Sequence, residues 1–360
     1  MTRRQLAGAV RTVASAQYET WLWDPAIGHA ARAYLCEQRR IDPVAAKAAH
    51  VGFLPGPNVP GRNTRHLARC VAEVTPDAEL IEQVGIMRPQ AALADRPTRL
   101  ADYPLGGGYL VFPVRDALGE CIGFKYRAVP GVARENTIRY TGTPGPTGGA
   151  MFGFELLRDD EREVVVVEGE IDWLSHASMR LKYPHIAPAV GWLGKELTPE
   201  RLTVVQRRFH TVHLAFDPDR AGWDGTLRAG RALAAAGVRF DLVRLPANRD
   251  ANDVLVASGP LVLAHFFGAA GRESLLEAQA RWFAEQGYAA TDPLWTARSL
   301  ADTAALIRPH LTPAAITRAA AAVQIPPALV QMHASATLAI TASPAPSVAA
   351  PREAGPEASA

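Results

Sequence analysis

Val164-Val165-Val166-Val167-Glu168-Gly169-Glu170-Ile171-Asp172 is an apolar run that stops at an acidic turn, and Leu214-Ala215-Phe216-Asp217-Pro218-Asp219-Arg220-Ala221-Gly222 repeats the design further along. Four consecutive valines are too few for a helix and favour extended backbone, so they read as a strand buried on both faces, the kind a parallel sheet contains. Thr211 to Phe216 reads as a second such strand, and helical patterns follow the two turns, from Ile171 to Leu181 and from Trp223 to Ala236. Strand, acidic loop and helix in succession make βαβ units, whose right-handed crossovers set the carboxyl ends of parallel strands along one edge. Glu168, Asp172, Asp217 and Asp219 are therefore expected to converge. Crowded carboxylates repel unless a cation sits among them, and oxygen ligands with no His or Cys nearby suit Mg²⁺ or Mn²⁺. A single Asp at such a turn would read as a helix cap; the two stretches in this order read as one site.

These two segments resemble the signature motifs of the Toprim domain, in the form used by bacterial DnaG-type primases. Leu245-Pro246-Ala247-Asn248-Arg249-Asp250-Ala251-Asn252-Asp253-Val254-Leu255 resembles the third acidic segment of that family. It reads Arg249-Asp250-Ala251-Asn252 where the family often has Lys-Asp-Pro-Asp, a variant similar to the primase halves of phage primase-helicases. Upstream, Phe112-Pro113-Val114-Arg115-Asp116 and Ile122-Gly123-Phe124 resemble the hairpin that precedes Toprim in DnaG. Arg139-Tyr140-Thr141-Gly142-Thr143-Pro144 and Met151-Phe152-Gly153 stand where the family has its Lys-Tyr-Leu-Asn-Ser-Pro and Leu-Tyr-Gly segments. Ala33-Tyr34-Leu35, Arg39-Arg40-Ile41 and Val51-Gly52-Phe53 are similar to the opening of the DnaG polymerase core.

The resemblance implies an α/β fold: a Toprim domain, with a Rossmann-like parallel sheet and flanking helices, at residues 160–260. An α+β primase-core subdomain at 1–155 would precede it, and a small helical bundle at 261–333 would follow, ahead of a disordered tail at 334–360. It implies template-directed RNA primer synthesis in DNA replication, by nucleotidyl transfer from an NTP, in a phage, plasmid or other mobile element. Glu168, Asp217 and Asp219 would be catalytic, with Asp172 and Asp250 completing a site for Mg²⁺ or Mn²⁺. Asn252 stands where DnaG has an acid, which would weaken one metal position. The implied partners are a single-stranded DNA template, NTPs, and a replicative helicase or separate template-binding protein. The same carboxylates would serve a Toprim nuclease, and a non-catalytic single-stranded DNA-binding accessory protein is the third reading.

Charge and composition bear on these expectations. Of 38 Lys and Arg and 36 Asp and Glu, the positive excess lies in residues 1–150, with 18 basic and 13 acidic residues. Gly106-Gly107-Gly108 leads into two alternating strands, Tyr109 to Arg115 and Cys121 to Val129, which form a hairpin. On the second strand Lys125 and Arg127 are two apart and share a face; with Arg115, Arg139 and the rings of Tyr126 and Tyr140 they could hold phosphates and stack bases. Cys36, Cys70 and Cys121 are far apart and form no Cys-x-x-Cys pair, so no zinc site is expected, and with it no zinc-binding domain of the DnaG kind. Gly194-Lys195 is not a P-loop, since Ala189 and Glu196 break the pattern. No apolar run approaches a membrane span, and no signal pattern follows Met1, so a cytoplasmic protein is expected. Residues 1–60 read as mainly helical, with helices from Ala7 to Trp23 and Ile27 to Arg40, a short one from Ile41 that ends before Val51, and a loop from Pro55 to Pro60; Asn63 to Val84 reads as further helix, Ile186 to Val190 as a strand and Thr198 to Phe209 as a helix. Leu275 to Gln286, Thr296 to Ile307 and Pro313 to Val323 read as the helices of the bundle.

Overall fold

A computed structural model describes residues 1–56, 58–61, 66–90, 99–102, 106–135, 137–143, 148–308 and 311–332. The expected disordered tail, the start of the helix read from Asn63 and the end of the segment ending in Pro144 lie outside these residues. The chain forms two compact units, Met1–Glu273 and Ser274–Ala360.

The first unit opens with α1 (Arg3–Trp23), then α2 (His29–Arg32) running into a π-helical turn Ala33–Gln38, and α3 (Pro43–Ala48). There follow β1 (Gly52–Leu54), α4 (His66–Val74), α5 (Ala78–Val84), β2 (Met87–Gln90), β3 (Arg99–Asp102), β4 (Tyr109–Arg115), β5 (Cys121–Ala128) and β6 (Tyr140–Gly142). The remainder runs β7 (Glu163–Val167), α6 (Glu170–Arg180), β8 (Ala189–Gly191), α7 (Pro199–Arg208), β9 (Thr211–Ala215), α8 (Arg220–Ala235), β10 (Arg239–Val243), α9 (Ala251–Phe267) and β11 (Arg272–Glu273). Local chemistry starts these helices: Thr198 caps α7 ahead of Pro199, Asp219 caps α8, and Asp250 with Asp253 forms a reciprocal capping box on α9. Within α9, Gly259 adopts φ +81° beside Pro260, and the helix is two helices joined at a kink.

The larger sheet has the order β11-β10-β9-β7-β8, with β10, β9, β7 and β8 parallel and β11 antiparallel at the edge. A second, antiparallel sheet has the order β1-β4-β5-β6, and β2 pairs with β3 alone. Strand β4 is buried on both faces. Leu110 and Phe112 join a core with Phe53, Val165, Val167, Leu174 and Phe267, while Tyr109 and Val111 face a second core with Tyr18, Trp21, Phe124 and Tyr126. The first of these cores spans both sheets, which locks their relative position.

Four local readings change. The stretch after the short helix that ends before Val51, given no element, forms β1, pressed so closely on α1 that a Cβ on Gly52 would lie 2.4 Å from that of Tyr18. The expected two-stranded hairpin gains a third strand, β6. The short strand β8 begins at Ala189, later than the expected Ile186. Tyr126 is fully buried in the second core, so it offers no surface to a base; on a strand it points away from Lys125 and Arg127.

The second unit contains α10 (Leu275–Glu285), α11 (Tyr288–Thr291), α12 (Pro293–Leu306) and α13 (Pro313–Ala322), with Leu276, Ala280, Leu300, Ala304 and Ala319 buried. Ser274, Asp292 and Thr312 cap its three longer helices. Among the described residues no helix is long and apolar enough to cross a membrane.

Candidate active site

Strand β7 leads through α6 to β8 on one side, and β9 leads through α8 to β10 on the other. Neighbouring parallel strands whose chains depart in opposite directions leave a crevice at their carboxyl ends. Val167 and Ala215 are level in that pairing, so Glu168 and Asp217 leave the sheet side by side. The Asp217 N–H donates to Glu168 Oε1 at 2.9 Å and ties the two loops together. Asp219 Oδ1 accepts from the Gly222 N–H at 2.6 Å, and Asp250 Oδ1 from the Asp253 N–H at 2.7 Å, so each acid is held by the helix it caps. Asp172 lies in the first turn of α6.

Glu168, Asp172, Asp217 and Asp250 line one cleft of about 580 Å³, whose other wall carries Lys125, Arg127, Arg139 and Tyr140. Arg115 is elsewhere: its Nη1 donates to the Gly119 carbonyl at 2.9 Å and its Nε lies 3.6 Å from Glu155 Oε1, so it staples the hairpin turn. Asp219 stands beside the cleft, half exposed, paired with the Lys195 ammonium at 3.2 Å. Lys195 also reaches Glu168 Oε2 at 3.4 Å.

The carboxylates are electrostatically stressed. Burial, and then the charge of Asp217, push Glu168 up to about 7. Burial, and then Asp250, push Asp217 up to about 6. Asp172 is raised well above the carboxylate range by burial and by Asp250, Asp217 and Glu168 around it, and burial raises Glu170. Asp219 differs: burial works to raise it, but the Gly222 N–H and Lys195 outweigh that and hold it low. Among the described residues no three carboxylates or imidazoles stand close enough to form a ready-made metal cage. The donor set nevertheless suits a hard divalent cation, because oxygens driven toward protonation by mutual repulsion are the ones a cation relieves.

The basic wall is partly structural. Arg127 is only 3% exposed; its Nε donates to the Tyr34 hydroxyl at 2.9 Å, and its guanidinium lies over the Tyr140 ring at 4.8 Å. Arg139 lies over the same ring at 5.6 Å, and Tyr140 itself is exposed. The Tyr34 hydroxyl also accepts from Arg39 Nε at 3.1 Å. Arg39 in turn donates to Asn252 Oδ1, while Asn252 Nδ2 donates to the Arg39 carbonyl and to Ser175 Oγ. Asn252 is completely buried and spent on these bonds, so it acts as a pin between α9, α6 and the π-helical turn. Tyr34, Arg39, Glu170 and Lys195 are site residues that sequence reasoning misses. The one signal for the first two is Tyr34-Leu35 followed by Arg39, whose backbone N–H bonds to the Tyr34 carbonyl five residues back.

Known proteins place this arrangement. The family described as Toprim-like matches residues 165–255. The DNA primase of Geobacillus stearothermophilus is 29% identical over 189 residues, 51% of this chain and 30% of the relative. That of Deinococcus radiodurans is 30% identical over 173 residues, 46% of this chain and 29% of the relative. The matches thus span under a third of these relatives' length. Among solved structures, the RNA polymerase domain of Mycobacterium tuberculosis primase DnaG, in complex with double-stranded DNA, superimposes with a TM-score of 0.68 at 24% identity, covering 89% of this chain and 98% of that one. A DnaG primase catalytic domain bound to single-stranded DNA superimposes with a TM-score of 0.60 at 21% identity, covering 74% of this chain and 81% of that one. The acidic crevice thus lies inside a Toprim-like segment at residues 165–255, and the chain has the fold of the DnaG-type primase catalytic core.

Proposed function

We propose that the protein is a DNA primase, a DNA-directed RNA polymerase that transfers a nucleotidyl group from an NTP to a 3′-hydroxyl on a single-stranded DNA template and releases pyrophosphate. The observation that carries this reading is the single cleft in which Glu168, Asp217 and Asp250 face Lys125, Arg139 and Tyr140. One wall suits a divalent cation and the other suits phosphates and a stacked base. Mg²⁺ or Mn²⁺ held by Asp217, Asp219 and Glu168, with Asp172 and Asp250 beside them, would supply neutralisation of the triphosphate and of the leaving pyrophosphate. Lys125 and Arg139 hold the chain's phosphates, and Tyr140 carries a base. Arg127 orients that ring through its own contacts with Tyr34. A replicative helicase or a separate template-binding protein would deliver the strand, in the cytoplasm.

Incubation with single-stranded DNA, labelled NTPs and Mg²⁺ or Mn²⁺ tests the proposal: new oligoribonucleotides are expected. Cut DNA in their place would establish a Toprim nuclease, and DNA binding without either product would establish an accessory protein.

The basic wall gives a second test. Lys125→Ala and Arg139→Ala should each weaken single-stranded DNA binding and flatten the log–log salt dependence by about 0.7 for every phosphate that is no longer neutralised. An unchanged slope returns both residues to ordinary surface charge.

The acidic wall gives a third. Glu168 and Asp217 keep their protons to about 7 and about 6, whereas an unfolded chain releases them near about 4. The metal-free fold therefore carries a stabilising contribution at low pH that is lost as pH rises through about 6 to 7. Cation binding needs the ionised forms. Added Mg²⁺ should thus raise the melting temperature most in mildly alkaline buffer and progressively less as the pH falls below the ionisation of Glu168. A Mg²⁺ effect independent of pH would show that these carboxylates do not hold the ion.

A further inference from the structure

Lys195 is presented by an unusual loop. Trp192, fully buried, donates its backbone N–H to the Val167 carbonyl at 2.9 Å, and the Gly194 N–H donates to the Glu168 carbonyl at 3.0 Å. Between them Leu193 adopts φ +57°, a left-handed conformation that a branched side chain takes only when its surroundings hold it there. On the far side α8 approaches so closely that a Cβ on Gly225 would lie 3.0 Å from Lys195 Cβ. The backbone at Lys195 is therefore fastened to the carboxyl end of β7 and backed by the helix that Asp219 caps. Its side chain, 27% exposed, ends between Glu168 Oε2 and Asp219 Oδ1, at 3.4 and 3.2 Å.

The two oxygens of Glu168 are thus both engaged, Oε1 by the Asp217 N–H and Oε2 by Lys195. The backbone bond is part of the loop that carries Asp217 and cannot yield without moving that acid. A cation that binds Glu168 and Asp219 oxygens needs them at about 2.0–2.2 Å, which leaves no room for an ammonium in the same gap. Lys195 is the group that must give way, and it gives way at the cost of two charge pairs.

We propose that Lys195 is a tethered counter-ion that competes with the divalent cation for Glu168 and Asp219 and so sets the cation affinity of the site; this rests on the metal-dependent reading above. Without cation the ammonium keeps the two acids together, and its departure is part of cation entry. A site without such a resident charge would bind the ion more tightly and release it less readily.

Titrating Mn²⁺ alone into the full chain, and following free Mn²⁺ by electron paramagnetic resonance, reads the competition without any turnover. Lys195→Met should bind Mn²⁺ about tenfold more tightly than the wild type or better, because one positive charge and two ion pairs no longer oppose the ion. Lys195→Ala should move the affinity in the same direction, which guards against a packing effect peculiar to methionine. Binding by the wild type that is equal or tighter than that of both variants overturns the role of Lys195 and leaves the metal site standing. Absence of Mn²⁺ binding in all three proteins overturns the metal reading and this inference with it.

Discussion

Asp217→Asn should lower primer synthesis by about a hundredfold or more, the scale set by removing a single well-placed charge from a water-poor site. The substitution keeps the shape of the side chain, and Asp217 contributes its backbone N–H, not its carboxylate, to the bond with Glu168. The fold and the DNA affinity should therefore survive. Asp219→Asn should act in the same direction, since an asparagine still caps α8 through its side-chain oxygen. Comparing turnover, melting temperature and single-stranded DNA affinity of both variants separates the two roles. Near-normal turnover by Asp217→Asn would remove the carboxylates from the chemistry.

Gly222→Ala should be as damaging, although it removes no functional group. A Cβ at this position would lie 2.0 Å from the Asp217 carbonyl oxygen and 3.1 Å from Glu168 Oε1. The first clash is with backbone and cannot be relieved by turning a side chain, so the Asp217 loop must move off the end of β9. The same shift breaks the Asp217 N–H bond to Glu168 and the Gly222 N–H bond to Asp219. Activity and Mn²⁺ affinity should fall together by about a hundredfold, with a smaller loss of melting temperature because the strand cores lie behind the loop. A Gly222→Ala enzyme with ordinary Mn²⁺ affinity would show that the loop is softer than its bonds suggest.

Much of this arrangement is legible in the chain because strand and helix periods are strong where the acids sit. Val164 to Val167 and Thr211 to Phe216 are continuous apolar runs closed by acids, and crossover handedness then leaves little choice about where Glu168 and Asp217 go. The basic wall is less legible. Alternation on β5 puts Lys125 and Arg127 on one face, but it says nothing of Tyr34 and Tyr140, which arrive from other elements and bury Arg127 while Lys125 stays partly open. Charge and nearness in sequence group Arg115 with them, yet its strand ends at a turn whose Gly119 carbonyl claims it. Lys195 escapes because its direction depends on left-handed backbone at Leu193, a residue type that gives no such signal. A strand as short as β1 has too few residues to show any period.

The kink at Gly259 in α9 divides the labour of that helix. Asp250, Asn252, Val254 and Leu255 lie before it, and Leu263, Ala264 and Phe267 after it. Pro260 has no N–H to bond back across the break, so the ladder that would make the two halves melt as one is interrupted there. Fraying that starts at the Phe267 end therefore meets an interrupted ladder at the kink before it reaches Asp250. The acid-bearing turn and the Asn252 pin are thereby coupled to the second half through the core that both halves share, more than through one hydrogen-bond ladder.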